Sequence, residues 1–317
     1  MSAIRFKVIP REQQQTLADK RRREINRTLT IALFMLPGMA VFLIFLLMPV
    51  TQSAYFSLYR WNGLGPVENY VQFENYSRLW QHGIFQDALR HTFAITLLAL
   101  GIQLPIALSL ALMIGRGKLA GRKLFRTFFF IPYVFSEPIT AIIWLYVFQP
   151  SNGLLNNVLG AIIPGFQSVA WIGDRSVVLF SVFAVITWRY FGFHMLLYMA
   201  GLQGVPKDTE DAARIDGASE AQVIRHVTLP LMGSTIRLTV FLSVLGSFQQ
   251  FAIIWLMTQG GPVNASELMA TYLYKFGIQR FALGYGSAVA VVLFLTTLIF
   301  SIGYQRTIMR QDFSEVS

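Results

Sequence analysis

The chain has no cysteine and little charge: of its 317 residues, only 13% are Asp, Glu, Lys or Arg. The missing thiols exclude disulfides, thiolate metal sites and cysteine catalysis, while saying little about compartment. The scarcity of charge excludes an ordinary soluble domain, in which roughly 25% of residues are charged. Signatures of catalysis are missing too. The stretch Gly115-Arg116-Gly117-Lys118-Leu119-Ala120-Gly121-Arg122-Lys123 is rich in glycine and cations, but it lacks the G-x-x-x-x-G-K-[ST] spacing of a phosphate loop. No Rossmann unit, zinc-binding helix or nucleophile elbow interrupts the apolar pattern, so any ATP hydrolysis belongs to another chain.

What the chain has instead is apolar length. Hydrophobic residues make up 54% of it. A membrane-crossing helix needs ~20 predominantly apolar residues, and six segments meet that length, at about 29–53, 91–114, 127–149, 177–200, 236–258 and 286–305. The first is no cleavable signal peptide, because its basic leader and its apolar run are both too long. The expected fold is all-α, a polytopic bundle of six transmembrane helices. Its divisions are a basic tail at 1–28, a membrane domain at 29–310 and a short tail at 311–317.

The net charge of +10 does not point to nucleic acid, because the cations sort by loop. Nineteen fall in the N-terminal tail, the second–third loop, the fourth–fifth loop and the C-terminal tail. Six fall on the other side: Arg60, Arg78, Arg90, Arg175, Lys275 and Arg280. Cytoplasmic loops carry the excess of Lys and Arg, so both termini are expected inside, together with the loop between spans four and five.

That loop is polar and helix-favouring. Pro206 suits the start of a helix. Asp208 is placed to cap it, and Asp211 follows near the positive end of its dipole. Gly217 can take the left-handed conformation that ends a helix. Ser219 with Gln222 has the spacing of a capping box for a second helix. The expectation is a compact knob of two short helices with a glycine elbow, in which Ala212 and Ala213 permit close approach by a partner. An ordinary amphipathic cytoplasmic helix is the plainer reading of the same residues.

Asp211-Ala212-Ala213-Arg214-Ile215-Asp216-Gly217, followed by Val227-Thr228-Leu229-Pro230, resembles the "EAA…G…I-x-LP" loop of binding-protein-dependent ABC importer permeases. Asp211 stands where that family usually has Glu, which keeps the charge on a side chain one methylene shorter. The resemblance extends over most of residues 30–310. It includes Leu36-Pro37-Gly38, Ala200-Gly201-Leu202-Gln203 and Thr258-Gln259-Gly260-Gly261-Pro262, the last typical of the carbohydrate-uptake branch with its maltose-type and glycerol-phosphate-type permeases. The resemblance implies a non-enzymatic permease in the plasma (inner) membrane that moves a sugar or similar polyol by alternating access. Asp211, Ala212, Ala213, Asp216, Gly217, Leu229 and Pro230 would then couple it to an ATPase dimer that binds the ATP and Mg; no cofactor is expected in this chain. The other implied partners are a second, similar permease and a periplasmic or lipid-anchored solute-binding protein.

Polar residues within the spans are candidates for the transport path, since ionisable groups there are costly and usually functional. Glu137 and Arg189 sit at matching depth, so an ion pair is expected to be within reach; Arg189 bound to backbone carbonyls is another reading, and direct contact of both residues with the substrate is a third. His194 reads as a packing histidine. Ser243, Gly246, Ser247 and Gln250 recur at i, i+3, i+4 and i+7, which places them on one helical face, flanked by Phe248 and Phe251. In maltose-type relatives the matching helix lines the pore and contacts sugar, which makes this face a candidate substrate surface. Helix–helix packing through small residues explains the same pattern. An ion-coupled secondary transporter is the rival function, with Glu137 and Arg189 as its coupling groups, and a membrane-embedded enzyme is a distant third.

Overall fold

The computed structural model describes residues 11–116 and 121–309, with side chains from residue 26 onward except that of Arg116. The 311–317 tail and the first ten residues of the basic tail lie outside the described residues. Met1–Tyr55 and Phe56–Ser317 form separate compact units. In the first, α1 (Arg11–Phe42) and α2 (Met48–Phe56) join through a π turn at Leu43–Leu47. Asn26–Phe56 is apolar over 31 residues, more than enough to cross ~30 Å of hydrocarbon at 1.5 Å per residue.

The second unit opens with α3 (Glu74–Gln81) and α4 (Gly83–Leu98), which runs through a π turn at Ala99–Gln103 into α5 (Leu104–Arg116). The second span therefore starts at Gly83, earlier than the expected residue 91. Asp87 and Arg90 are accommodated inside it, since Arg90 pairs with Asp87 at 3.2 Å on an exposed face.

The third segment is not one span of the expected kind. α6 (Arg122–Val134) and α7 (Glu137–Val147) meet at 99°. Phe135 and Ser136 are extended, with ψ of 141° and 155°. The Ser136 hydroxyl caps α7 by accepting from the Ile139 N–H, and Pro138 occupies the first turn, where a missing N–H costs nothing.

Beyond α8 (Leu154–Ile162) runs α9 (Val178–Gln203), the long central helix. It crosses α6 closely at Gly192, where a Cβ would lie 2.0 Å from the Phe129 carbonyl oxygen. The polar loop follows as α10 (Lys207–Ile215), α11 (Glu220–Val223), a π turn at Ile224–Thr228 and α12 (Leu229–Leu231). α13 (Gly233–Gln249) turns 72° away from that stretch. The expected fifth span at 236–258 is likewise divided, because Gln250 and Phe251 leave the helical conformation before α14 (Ala252–Met257). α15 (Met269–Leu273), a π turn at Tyr274–Ile278 and α16 (Leu283–Thr307) complete the unit.

Among the described residues four helices are long and apolar enough to cross a membrane, or up to six if each bent pair is one span. Among the described residues there is no strand, only an isolated antiparallel bridge between Tyr59 and Tyr70. Three apolar clusters hold the second unit. One joins Ile95, Ala141, Val182 and Ile253; the next joins Phe85, Phe248, Tyr272 and Val289; the third joins Ala111, Met195, Tyr198 and Met232. α9 and α13 contribute to two clusters each.

Candidate functional site

The expected knob is built as the sequence suggests, with one change. Pro206, not Asp208, is the N-cap of α10, and Asp208 sits inside the first turn with Glu210. Pro206 is extended (φ −64°, ψ 127°) and its fixed φ carries the chain into the helix. A carboxylate in the first turn is still favoured by the helix dipole. At the other end Gly217 has φ +87°. Its N–H donates to Arg214 O at 3.1 Å and the Ala218 N–H to Ala213 O at 3.0 Å, the paired bonds of a Schellman stop. Ser219 then starts α11, with its N–H bound to Gln222 Oε1 at 2.7 Å.

Arg214 organises the charges of the knob. It reaches Glu220 at 2.6 Å, Asp211 at 2.6 Å and Glu210 at 3.9 Å. The hydrogen bonds it donates to Glu220 first, and also to Asp211, hold its guanidinium pKa above the ordinary arginine range. Asp211, Ala212, Asp216, Gly217 and Pro230 are exposed, while Ala213 and Leu229 are half-buried. Ile215, which the motif does not single out, is 86% exposed and gives the knob an apolar tip. Glu210 was not among the expected residues either. It is 6% exposed and accepts from Thr228 Oγ1 at 3.0 Å, tying the two halves of the motif together. Its i, i+4 spacing to Arg214 was the available signal.

The second constellation is a cavity of about 180 Å³ between α4, α6, α9 and α13. Ser243, Gly246, Ser247 and Gln250 all line it, so the structure brings the whole stripe together. Gln250 does so from the non-helical residue that ends α13 rather than from a fourth helical position. Gln103 and His194, which the stripe does not include, line it as well. Its aromatic walls are Tyr133, Tyr190 and Phe193, not the expected Phe248 and Phe251. Phe248 is packed in the second apolar cluster, and Phe251 stacks on Trp255 at 5.9 Å.

Gln103 Oε1, His194 Nδ1, Ser243 Oγ and Gln250 Nε2 are buried with no partner among the described residues. The four side chains are at most 6% exposed. An unpaired buried polar group costs ~1–3 kcal/mol, and four around one void mark it as a place for a polar guest. Ser247 differs, since its hydroxyl donates to Ser243 O at 2.9 Å.

Glu137 and Arg189 do not pair in this structure. Arg189 donates to the carbonyls of Phe135 and Tyr133, and Glu137 accepts from the Tyr190 hydroxyl. The broken third segment is the cause: it strands carbonyls at the end of α6, which the guanidinium fills, and it leaves Glu137 at the positive end of α7. Tyr190 stands between the two charges, with Arg189 5.2 Å from its ring centre. Neither charged residue lines the cavity, but Tyr133 and Tyr190, which they hold, do.

The family model described as binding-protein-dependent transport system inner membrane component matches residues 103–313. The probable ABC transporter permease protein YurN of Bacillus subtilis (strain 168) is 33% identical over 272 residues, covering 85% of this chain and 92% of that protein. The diacetylchitobiose uptake system permease protein NgcF of Streptomyces coelicolor is 30% identical over 292 residues, covering 89% and 83% respectively. A chain in the crystal structure of a bacterial ABC transporter involved in import of the acidic polysaccharide alginate superposes with a TM-score of 0.80. It covers 92% of this chain and 99% of its own at 23% identity, a likeness of fold. The knob, the interior cavity and these matches together make this chain a member of the binding-protein-dependent inner membrane components: a multi-pass plasma-membrane permease subunit of an ABC importer.

Proposed function

We propose that the chain forms the path for a sugar or similar polyol, which a solute-binding protein delivers to it and a partner ATPase drives across. The observation that carries this reading is the cavity, in which four buried polar groups lack partners inside a chain otherwise short of polar residues. Lipid cannot satisfy such groups, so they need protein, water or a hydroxylated guest. The relative named for diacetylchitobiose uptake supports a carbohydrate guest. Ser243, Gly246, Ser247 and Gln250 contact the solute. Glu137 and Arg189 shape the site through Tyr190 and Tyr133 rather than by touching the solute.

In the same reading the membrane domain spans 29–310 between tails at 1–28 and 311–317. It crosses six times, each bent pair counting as one span, with both termini inside. The knob of Asp211, Ala212, Ala213, Asp216 and Gly217 docks on the ATPase, and Leu229 and Pro230 pass its movement to α13. ATP and Mg bind to that partner. A second permease subunit, a copy or a similar chain, closes the path. The ion-coupled transporter is not favoured, because the charges it would use are engaged with the broken segment and with Tyr190.

The test uses the missing cysteines. Single cysteines at positions 243–251 are probed with a water-soluble thiol reagent during turnover. Labelling at 243, 247 and 250 that solute blocks is the expected result. Inert positions there, with labelling at Val244 or Phe248 instead, would assign the stripe to packing.

A further inference from the structure

The unpartnered groups of the cavity form a selective set. They come from three elements: Gln103 from the π turn after α4, His194 from α9, and Ser243 and Gln250 from α13 and its end. The π turn at Ala99–Gln103 matters here. Ala99 and Gln103, four residues apart, both line the cavity from this turn, and π turns recur at functional sites.

Together the set offers an amide oxygen, an amide NH₂, a hydroxyl and a ring nitrogen. The cavity lining includes no carboxylate, ammonium or guanidinium. A sugar hydroxyl both donates and accepts, so a neutral sugar offers partners to donors and acceptors alike. A carboxylate only accepts. An acidic sugar would have to give up the hydration of its carboxylate here with no cation among the lining residues to meet it. Arg189 does not line the cavity, and its Nη1 donates to the Phe135 and Tyr133 carbonyls. The rings of Tyr133, Tyr190 and Phe193 suit the apolar face of a sugar ring. The volume of about 180 Å³ leaves space for a sugar ring.

We propose, building on the sugar path assigned above, that this cavity takes one uncharged sugar ring at a time and rejects acidic sugars, with Gln103 and His194 as specificity-determining contacts. The test places Ser247→Cys in the otherwise cysteine-free chain, assembled with its partner subunits in vesicles. Three methanethiosulfonates are compared: one carrying a glucosyl group, one carrying a sulfonate, and the small methyl reagent. The glucosyl reagent is expected to react at least about tenfold faster than the anionic one, a difference of ~1.4 kcal/mol. Gln103→Leu and His194→Phe should each slow the glucosyl reagent by about tenfold while leaving the methyl reagent unchanged, which also shows that the variants are folded. Gln103→Arg should bring the anionic reagent to parity.

Equal rates for glucosyl and anionic reagents would overturn selection for neutral sugars and leave the sugar path standing. Inertness to all three, the methyl reagent included, would overturn both.

Discussion

Gly217 and Arg214 define the shape of the knob by opposite means. Gly217 supplies a backbone angle, φ +87°, that L-residues adopt at a cost of roughly 1–2 kcal/mol. Proline cannot adopt it at all. Gly217→Pro is therefore expected to insert normally and to lose uptake by more than tenfold. Membrane abundance and uptake measured side by side check this, and normal transport would contradict it. Arg214 supplies a charge shared by Glu220, Asp211 and Glu210. Asp211→Lys sets two cations against each other on the exposed face proposed to meet the ATPase, so it should detach or uncouple that subunit, while Asp211→Glu should be tolerated. Co-purification of the ATPase reads the difference. Glu210→Ala acts differently, since it removes the carboxylate to which the buried Thr228 hydroxyl donates at 3.0 Å, leaving that hydroxyl a longer bond to Val223 O at 3.4 Å. A loss of ~1–3 kcal/mol in the stability of the knob is expected, seen as earlier thermal unfolding of the purified permease than in Asp211→Ala.

Among the elements, the break between α6 and α7 has the widest consequences. It converts Arg189 into a carbonyl clamp and Glu137 into a partner for Tyr190. A double-mutant cycle of Glu137→Gln with Tyr190→Phe should show coupling above ~0.5 kcal/mol. Additive effects would remove that contact from the account.

The break was legible only in part. Apolar run lengths read the existence of each helix well, but they are blind to a chain that turns within an apolar stretch. The local signal was present in Ser136, Glu137 and Pro138, the pattern of a helix start. The stripe at Ser243, Gly246 and Ser247 was legible because it follows helical period. Gln250 joined it despite leaving the helix, since the cavity continues past the end of α13. Gln103 was not legible, because a π turn shifts the register on which periodicity depends. His194 and Ile215 each stand alone on an otherwise unremarked surface, and no spacing rule marks a single residue. The knob was the most readable part, because a capping residue, a glycine stop and a second helix start are all local chemistry.

For the whole molecule, the central claim is that the knob and the cavity belong to one machine, in which work done by a partner ATPase changes the side on which the cavity opens. α13 follows the knob through α12 and carries Ser243 and Ser247, so movement at one end has a continuous path to the other. The most direct measurement is the sidedness of Ser247→Cys labelling by a membrane-impermeant thiol reagent, in sealed vesicles holding the complete transporter. Without nucleotide the cysteine should react from one side; with a non-hydrolysable ATP analogue and the binding protein it should react from the other. Gly217→Pro should abolish the switch without abolishing labelling. A sidedness that ignores nucleotide would contradict the account.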